Sequence, residues 1–205
     1  MAQFKLTYFD FDGGRAEPAR LALKLGGLRF EDVRIPIADW AQHRDQFRYR
    51  QLPEFEVDGK WFNQSNVIAR YIGQLTGYYP EDPWQAALCD AVVDTADDAM
   101  RRLVDTFSLA EDEKETARQE LVKTTLPLFL SGLNQSLLEQ GGTYFADNHL
   151  SIADLKVYVM VNDLTNGHLD YIPTTIVAAH APELLAHQAR VRSYLRENTP
   201  RLDYV

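Results

Sequence analysis

Only one cysteine, Cys89, occurs in the 205 residues. The chain therefore holds neither an internal disulfide nor a Cys-x-x-Cys redox pair, and any sulfur chemistry must bring its thiol from outside. Cys89 itself reads as a small buried hydrophobe on a helix. Long apolar runs are also missing. No stretch approaches membrane-spanning length, and the opening MAQFKLTYFDFDGG lacks the regions of a secretory signal, so a cytoplasmic protein is expected. Basic residues are outnumbered, 21 Lys and Arg against 30 Asp and Glu for a formal net charge of -9. They are scattered rather than gathered into a stripe, which argues against a nucleic-acid partner. The histidines at 43, 149, 168, 180 and 187 show neither zinc-ligand spacing nor a nearby acid partner, and no metal is assigned to them. There is no G-x-S-x-G, P-loop or dinucleotide fingerprint, so hydrolase, nucleotidase and dehydrogenase readings have no motif to stand on.

What is present is an ordinary globular composition, 45% hydrophobic and 25% charged, enough for one large domain or two small ones. In FKLTYF, Phe4, Leu6 and Tyr8 alternate with Lys5 and Thr7 at the strand period, and Tyr8 ends the strand. The turn DFDGGR leads into a helix, RAEPARLALKL, with Pro18 in its opening turn and Gly26-Gly27 beyond its end. FEDVRI reads as a second strand. EFEV and KWFN flank Asp58-Gly59, a dipeptide suited to a tight antiparallel hairpin, and the helix SNVIARYIGQL closes the unit. The predicted organisation is a mixed α/β domain over 1–78, a linker over 79–84 and an all-helical domain over 85–205. The helices expected there run over about 84–109, then 112–139 with Pro127 as a kink, then 151–165, with shorter helices to the end.

Several short segments carry chemistry that an ordinary structural role also explains. Tyr8, where a strand meets a Gly-rich turn, can point a phenol into a cleft, although strands are rich in tyrosine anyway. A cis Leu52-Pro53 bond would turn the Leu52 N–H and C=O toward a peptide ligand, but the residues alone favour a trans proline that begins an edge strand. Gln64-Ser65 opens a helix, which makes either an anion site or a plain N-cap. Asp94, Asp97 and Asp98 share one helical face that suits an ammonium group or a hydrated Mg or Ca ion. The commoner reading is a solvated face offset by Asp97 with Arg101 and Asp98 with Arg102. Ser151-x-x-Asp154 before an apolar run reads as a structural capping box.

Taken in order, KLTYF, GRAEPARLAL, ADW, QLPEFEVDG, NQSNVIARYIG, VVDTADDAM and SIADL resemble the glutathione transferase superfamily across the whole chain, and the sigma class most. The resemblance implies a thioredoxin-like first domain with a mixed four-stranded sheet, a helical second domain carrying the second-substrate pocket, and a homodimer. It also implies detoxifying transfer of the glutathione thiolate to small electrophiles. Tyr8 would then hold the glutathione sulfur as a thiolate. The backbone of Leu52, before a cis Pro53, would pair with the cysteinyl part, and Gln64 with Ser65 would hold the γ-glutamyl carboxylate. Trp40, Arg44 and Gln51 would surround the glycyl end. Asp98 of the second subunit would reach the γ-glutamyl ammonium, and Arg15 would lend positive potential near the thiolate or brace Glu17. Glutathione is the implied co-substrate, with no obligatory metal.

Three departures fall where substrate choice is made. The turn DFDGGR is one residue longer than in the prostaglandin-isomerising members of the class, EFEV is more acidic, and Arg101, Arg102 and Lys156 bring cations toward the second-substrate pocket. Polar or anionic electrophiles are the corresponding expectation. The alternatives are a glutathione-dependent isomerase or peroxidase, and a non-catalytic, crystallin-like ligand carrier.

Overall fold

The computed structural model describes residues 2–199. The chain divides into two compact units. One comprises Met1–Tyr79 together with the chain from Leu195 onward, and the other is Pro80–Tyr194.

In the first unit, strand β1 (Phe4–Phe9) is paired on both edges and buries Leu6, Thr7 and Tyr8 in succession, so both of its faces are covered there. Helix α1 (Glu17–Leu25) follows, with Pro18 in its first turn where no N–H is needed. Strand β2 (Glu31–Ile35) then returns parallel to β1. A short helix, α2 (Trp40–His43), lies in the connection to β3 (Glu54–Val57), which is antiparallel to β1. β3 turns through Asp58 and Gly59, with φ of 49° and 79°, into the antiparallel β4 (Lys60–Asn63). Two successive residues with positive φ give the hairpin its tight return, so Asp-Gly is the dipeptide that fits there. The sheet order is β2-β1-β3-β4, and helix α3 (Ser65–Thr76) packs against α1. This is the mixed four-stranded sheet expected from the sequence.

The second unit is helical among the described residues. α4 (Pro83–Val104) is capped by Asp82, whose carboxylate accepts from the N–H groups of Trp84 and Gln85, each at 3.0 Å. It ends earlier than the expected 109, in a 3-10 turn over Asp105–Ser108. The single helix expected over 112–139 is two, α5 (Glu111–Lys123) and α6 (Thr125–Glu139), broken at Thr124, where φ is -124° and ψ -66°. Pro127 is the physical reason. It lacks the N–H that would bond to the Lys123 carbonyl, and its ring crowds that carbonyl, so the chain breaks a turn earlier instead of kinking. α7 (Ile152–Thr165) is buried along most of its length and packs on α4. α8 (Ile176–His180) is short, but α9 (Pro182–Asn198) is not. It runs 17 residues, and its part in the second unit carries buried Leu184, His187, Gln188 and Val191 at helical spacing.

The expected capping box opens α7. The Asp154 carboxylate accepts from the Ser151 N–H and hydroxyl, both at 2.8 Å, from the Phe145 N–H at 3.1 Å, and pairs with His187 Nε2 at 2.9 Å. His187 therefore does have an acid partner, contrary to the sequence reading. The partner is 33 residues away and is brought close only by the packing of α7 and α9. Cys89 is buried beside this network, its Sγ 3.8 Å from the Ser151 hydroxyl, and burial pushes its thiol up to about 12. The thiol is thus neutral at any working pH. A chromogenic disulfide added to native protein at about pH 8 is expected to leave Cys89 unmodified, whereas denaturation should release one reactive thiol.

Candidate active site

The pairing register gathers the ends of several elements at one edge of the sheet. Phe9 of β1 lies opposite Ile35 of the parallel β2, and Thr7 lies opposite Glu54, which itself lies opposite Asn63. The residues that adjoin these pairs along the chain are Tyr8, Pro53 and Gln64. Tyr8, Leu52-Pro53 and the Gln64-Ser65 start of α3 thus share one end of the first unit, and the chain leaving β2 runs to Trp40 from the same end.

Tyr8 is 5% exposed. Its phenol oxygen accepts a hydrogen bond from the Arg15 backbone N–H at 3.1 Å, a bond made at an oxygen lone pair and not by the hydroxyl proton. The ring stands edge-on to Phe9 and Phe11, with centroids 5.2 and 5.5 Å away, and Trp40 meets Phe9 at 5.3 Å. Trp40 is half-buried and leans on Phe47. The turn after β1 comes very close to the phenol. Gly14 has φ of 64°, and a Cβ there would stand 2.9 Å from the Tyr8 hydroxyl and 2.9 Å from the Phe11 ring, so only glycine fits. Arg15 is half-buried, and its Nε is enclosed without a hydrogen-bond partner.

The Leu52-Pro53 bond is cis, where the residues alone favoured trans, because the isomer of an X-Pro bond is fixed by tertiary context. Both residues are buried. Gln64 is the N-cap of α3, with φ of 78° and ψ of 107°, and its side chain makes no capping bond, while Ser65 is the first residue of the helix. The N-cap position is thus filled by Gln64 without a side-chain capping bond. A left-handed backbone at glutamine costs about 1–3 kcal/mol and is found mainly where a ligand or a mechanism needs it. The N–H groups of the first turn remain without intrahelical acceptors, which favours a carboxylate there. Arg44 and Gln51 are exposed in the loop before β3, where Arg44 has only a loose contact with Asp45 at 3.9 Å. Beyond Pro53, Glu54 is half-buried, and burial, helped by Glu56, raises its carboxyl above the usual range.

Asp98 lies on α4 in the second unit, exposed like Asp94. Asp97 is buried and already occupied, with Oδ1 2.8 Å from Lys156 Nζ and Oδ2 2.9 Å from Arg101. One carboxylate thus neutralises two of the three cations expected to favour anionic electrophiles, and Lys156 is 7% exposed. Arg102 is exposed. Among the described residues, no group of three or more His, Cys, Asp or Glu side chains is arranged to hold a metal ion. No described helix is long and apolar enough to cross a membrane.

Residues 4–74 match the model of the glutathione S-transferase N-terminal domain, and residues 97–196 that of a glutathione S-transferase C-terminal domain. A haematopoietic prostaglandin D synthase from Gallus gallus is 33% identical over 193 residues, covering 94% of this chain and 92% of its own. The chain belongs to the glutathione S-transferase family. Glutathione S-transferase 1 of Ascaris suum is 32% identical over 82% of this chain and 87% of its own. The solved sigma class glutathione transferase of Fasciola hepatica superposes with a TM-score of 0.79 at 25% identity, over 97% of this chain and 98% of that one.

Within this family fold, sequence reasoning missed Arg20, Asp32 and Arg34. Arg20 has no exposed surface and lies with its guanidinium 5.8 Å from the centre of the Tyr8 ring. It donates to Asp32 at 3.0 Å, to the Phe11 carbonyl at 3.2 Å and to Glu17 at 3.2 Å. Bracing Glu17, one of the two roles offered for Arg15, thus falls to Arg20. The signals were available: Glu17 and Arg20 are three apart on one helix, and Asp32 and Arg34 are two apart on one strand.

Proposed function

We propose that this glutathione transferase activates glutathione through Tyr8, whose hydroxyl donates a hydrogen bond to the cysteinyl sulfur and holds it as the thiolate. The observation that carries this reading is the phenol oxygen accepting the Arg15 N–H at 3.1 Å at the end of β1. That bond is accepted at a lone pair of the oxygen and does not itself consume the hydroxyl proton. A hydrogen bond to the charged form favours it, so the thiol ionises below its ordinary value of about 8.5, its proton leaving to water. The thiolate then attacks the electrophile. With an aryl chloride the S–C bond forms, the C–Cl bond breaks and chloride departs with the electron pair. Arg15 adds positive potential beside the sulfur.

The rest of the tripeptide is assigned by the same reading. The Leu52 backbone, before Pro53, takes the cysteinyl stretch, and Gln64 with Ser65 takes the γ-glutamyl carboxylate at the α3 start. Trp40, Arg44 and Gln51 take the glycyl end. Asp98 of a second subunit takes the γ-glutamyl ammonium, which makes the working form a homodimer. Sedimentation of the native protein tests that form directly. A sigma-class, detoxifying enzyme in the cytoplasm fits the Fasciola likeness and the unpaired Cys89. The domain limits 1–78 and 85–205, joined by 79–84, belong to the same reading.

The test is conjugation of glutathione to a chromogenic aryl halide. Turnover saturable in glutathione supports the reading; protein that binds glutathione but conjugates no electrophile of a broad panel would point to a ligand carrier. A prostaglandin D synthase-like isomerase is the second reading, favoured by the Gallus likeness over most of both chains, and isomerase assays separate it from conjugation. The Gly14 contact adds a sharper expectation. Alanine at 14 forces its Cβ onto the Tyr8 hydroxyl from a left-handed backbone, and should lower turnover roughly tenfold while the protein still folds. Native turnover in Gly14→Ala would mean that the phenol is not where the chemistry happens.

A further inference from the structure

We propose that Asp32 and Arg34 of β2 are positioning residues for the Tyr8 hydroxyl, bracing the turn that delivers the Arg15 N–H to it. The proposal rests on the thiolate reading above. Asp32 divides its carboxylate between two arginines, with Oδ1 accepting from Arg20 Nε at 3.0 Å and Oδ2 from Arg34 Nε at 2.9 Å. Each arginine then grips the turn from a different side. Arg20 holds it from inside the fold, donating through Nη1 to the Phe11 carbonyl and to Glu17. Glu17 in turn accepts the Gly13 N–H at 3.4 Å. Arg34 holds it from the outside, with Nη2 2.9 Å from Asp12 and Nη1 3.8 Å from Asp10.

What this brace restrains is a segment with little stiffness of its own. Gly13 and Gly14 have φ of 108° and 64°, and the next N–H along the chain is the one that reaches Tyr8. The Asp10 and Asp12 pairs on their own are solvent-facing and weak, Asp12 being 84% exposed. Asp32 and Arg20 are different, with side-chain exposures of 21% and 0%. If Asp32 is lost, the enclosed Arg20 keeps Glu17 as its one charged partner, and its Nη2 is already without an acceptor. The turn and the buried guanidinium must then move together, and the Arg15 N–H moves with them. Asparagine at 32 offers one acceptor oxygen where two arginines each take one, so one arm of the brace is released.

The test compares Asp32→Asn and Arg34→Ala with native protein and with Tyr8→Phe, in glutathione conjugation to an aryl halide followed across pH. In Asp32→Asn, kcat is expected to fall roughly tenfold, with KM for glutathione moving less than about twofold, and the rising limb of the pH profile to shift to higher pH. Arg34→Ala should move the same two readouts in the same direction, by about threefold in kcat. Its side chain is 30% exposed, so the variant should fold, and it decides the matter if Asp32→Asn does not fold. A merely structural role would lower Tm while leaving kcat per folded site and the pH limb at native values. That outcome in folded Arg34→Ala, with Tyr8→Phe strongly impaired, overturns the brace and leaves the thiolate reading standing. If Tyr8→Phe also keeps native kcat and pH profile, the reading on which the brace rests is what has failed.

Discussion

Tyr8→Phe is expected to lower kcat/KM for conjugation by roughly 10²-fold, with only a small change in glutathione affinity. The phenylalanine ring keeps the edge contacts that Tyr8 makes with Phe9 and Phe11, so the core should not loosen. What disappears is a donor aimed at a charge that the reaction needs, and losing one such donor from a preorganised site has about that effect elsewhere. The Arg15 N–H also loses its acceptor at 3.1 Å. It is then left to a water molecule or directly to the sulfur, which sets a floor under the loss. Steady-state kinetics with an aryl halide check this, and a fall below about threefold would remove Tyr8 from the mechanism.

Asp154→Ala is expected to be the most destabilising single change outside the site, at about 3–5 kcal/mol. The side chain has no exposed surface and answers the N–H groups of Phe145 and Ser151, the Ser151 hydroxyl and His187. Truncation leaves these donors buried without an acceptor, and it opens the first turn of α7, the helix around which the second unit packs. For a chain of this size the loss corresponds to a fall in Tm of roughly 10 °C. Ser151→Ala, which removes one hydroxyl from the same box, should cost only about 1 kcal/mol. Denaturant unfolding of the two variants should therefore differ clearly, and equal stabilities would mean that the box is not what organises α7.

The local signals of the first unit were legible because each rests on a short-range rule. Alternation gave β1, Asp58-Gly59 gave the hairpin, and Pro18 gave the start of α1. The ordered motifs carried the family and the mixed sheet with helices, which no single motif could have done. What was not legible depends on contacts between distant residues. Asp154 and His187 are 33 apart, and Asp97 meets Lys156 across 59 positions. A cation that looks available for a substrate is for that reason already committed to a buried carboxylate. The break at Thr124 was missed for a different reason, since a proline can either kink a helix or end it upstream, and the pattern of apolar residues is the same in both cases. In the site, the phenol was visible from its place at a strand end, whereas its surroundings were not. The bond from the Arg15 N–H and the Asp32 brace depend on how the Gly13-Gly14 turn folds back, and glycine leaves no side-chain pattern to read.

The central claim is that Tyr8 holds glutathione as a thiolate, and the most direct measurement is an ultraviolet difference titration of protein-bound glutathione in native protein and in Tyr8→Phe. The account predicts that the bound thiol of native protein ionises roughly 1–2 pH units below the free value of about 8.5, and that the phenylalanine variant returns it most of the way. Identical titration curves for the two proteins, with glutathione bound in both, would contradict it.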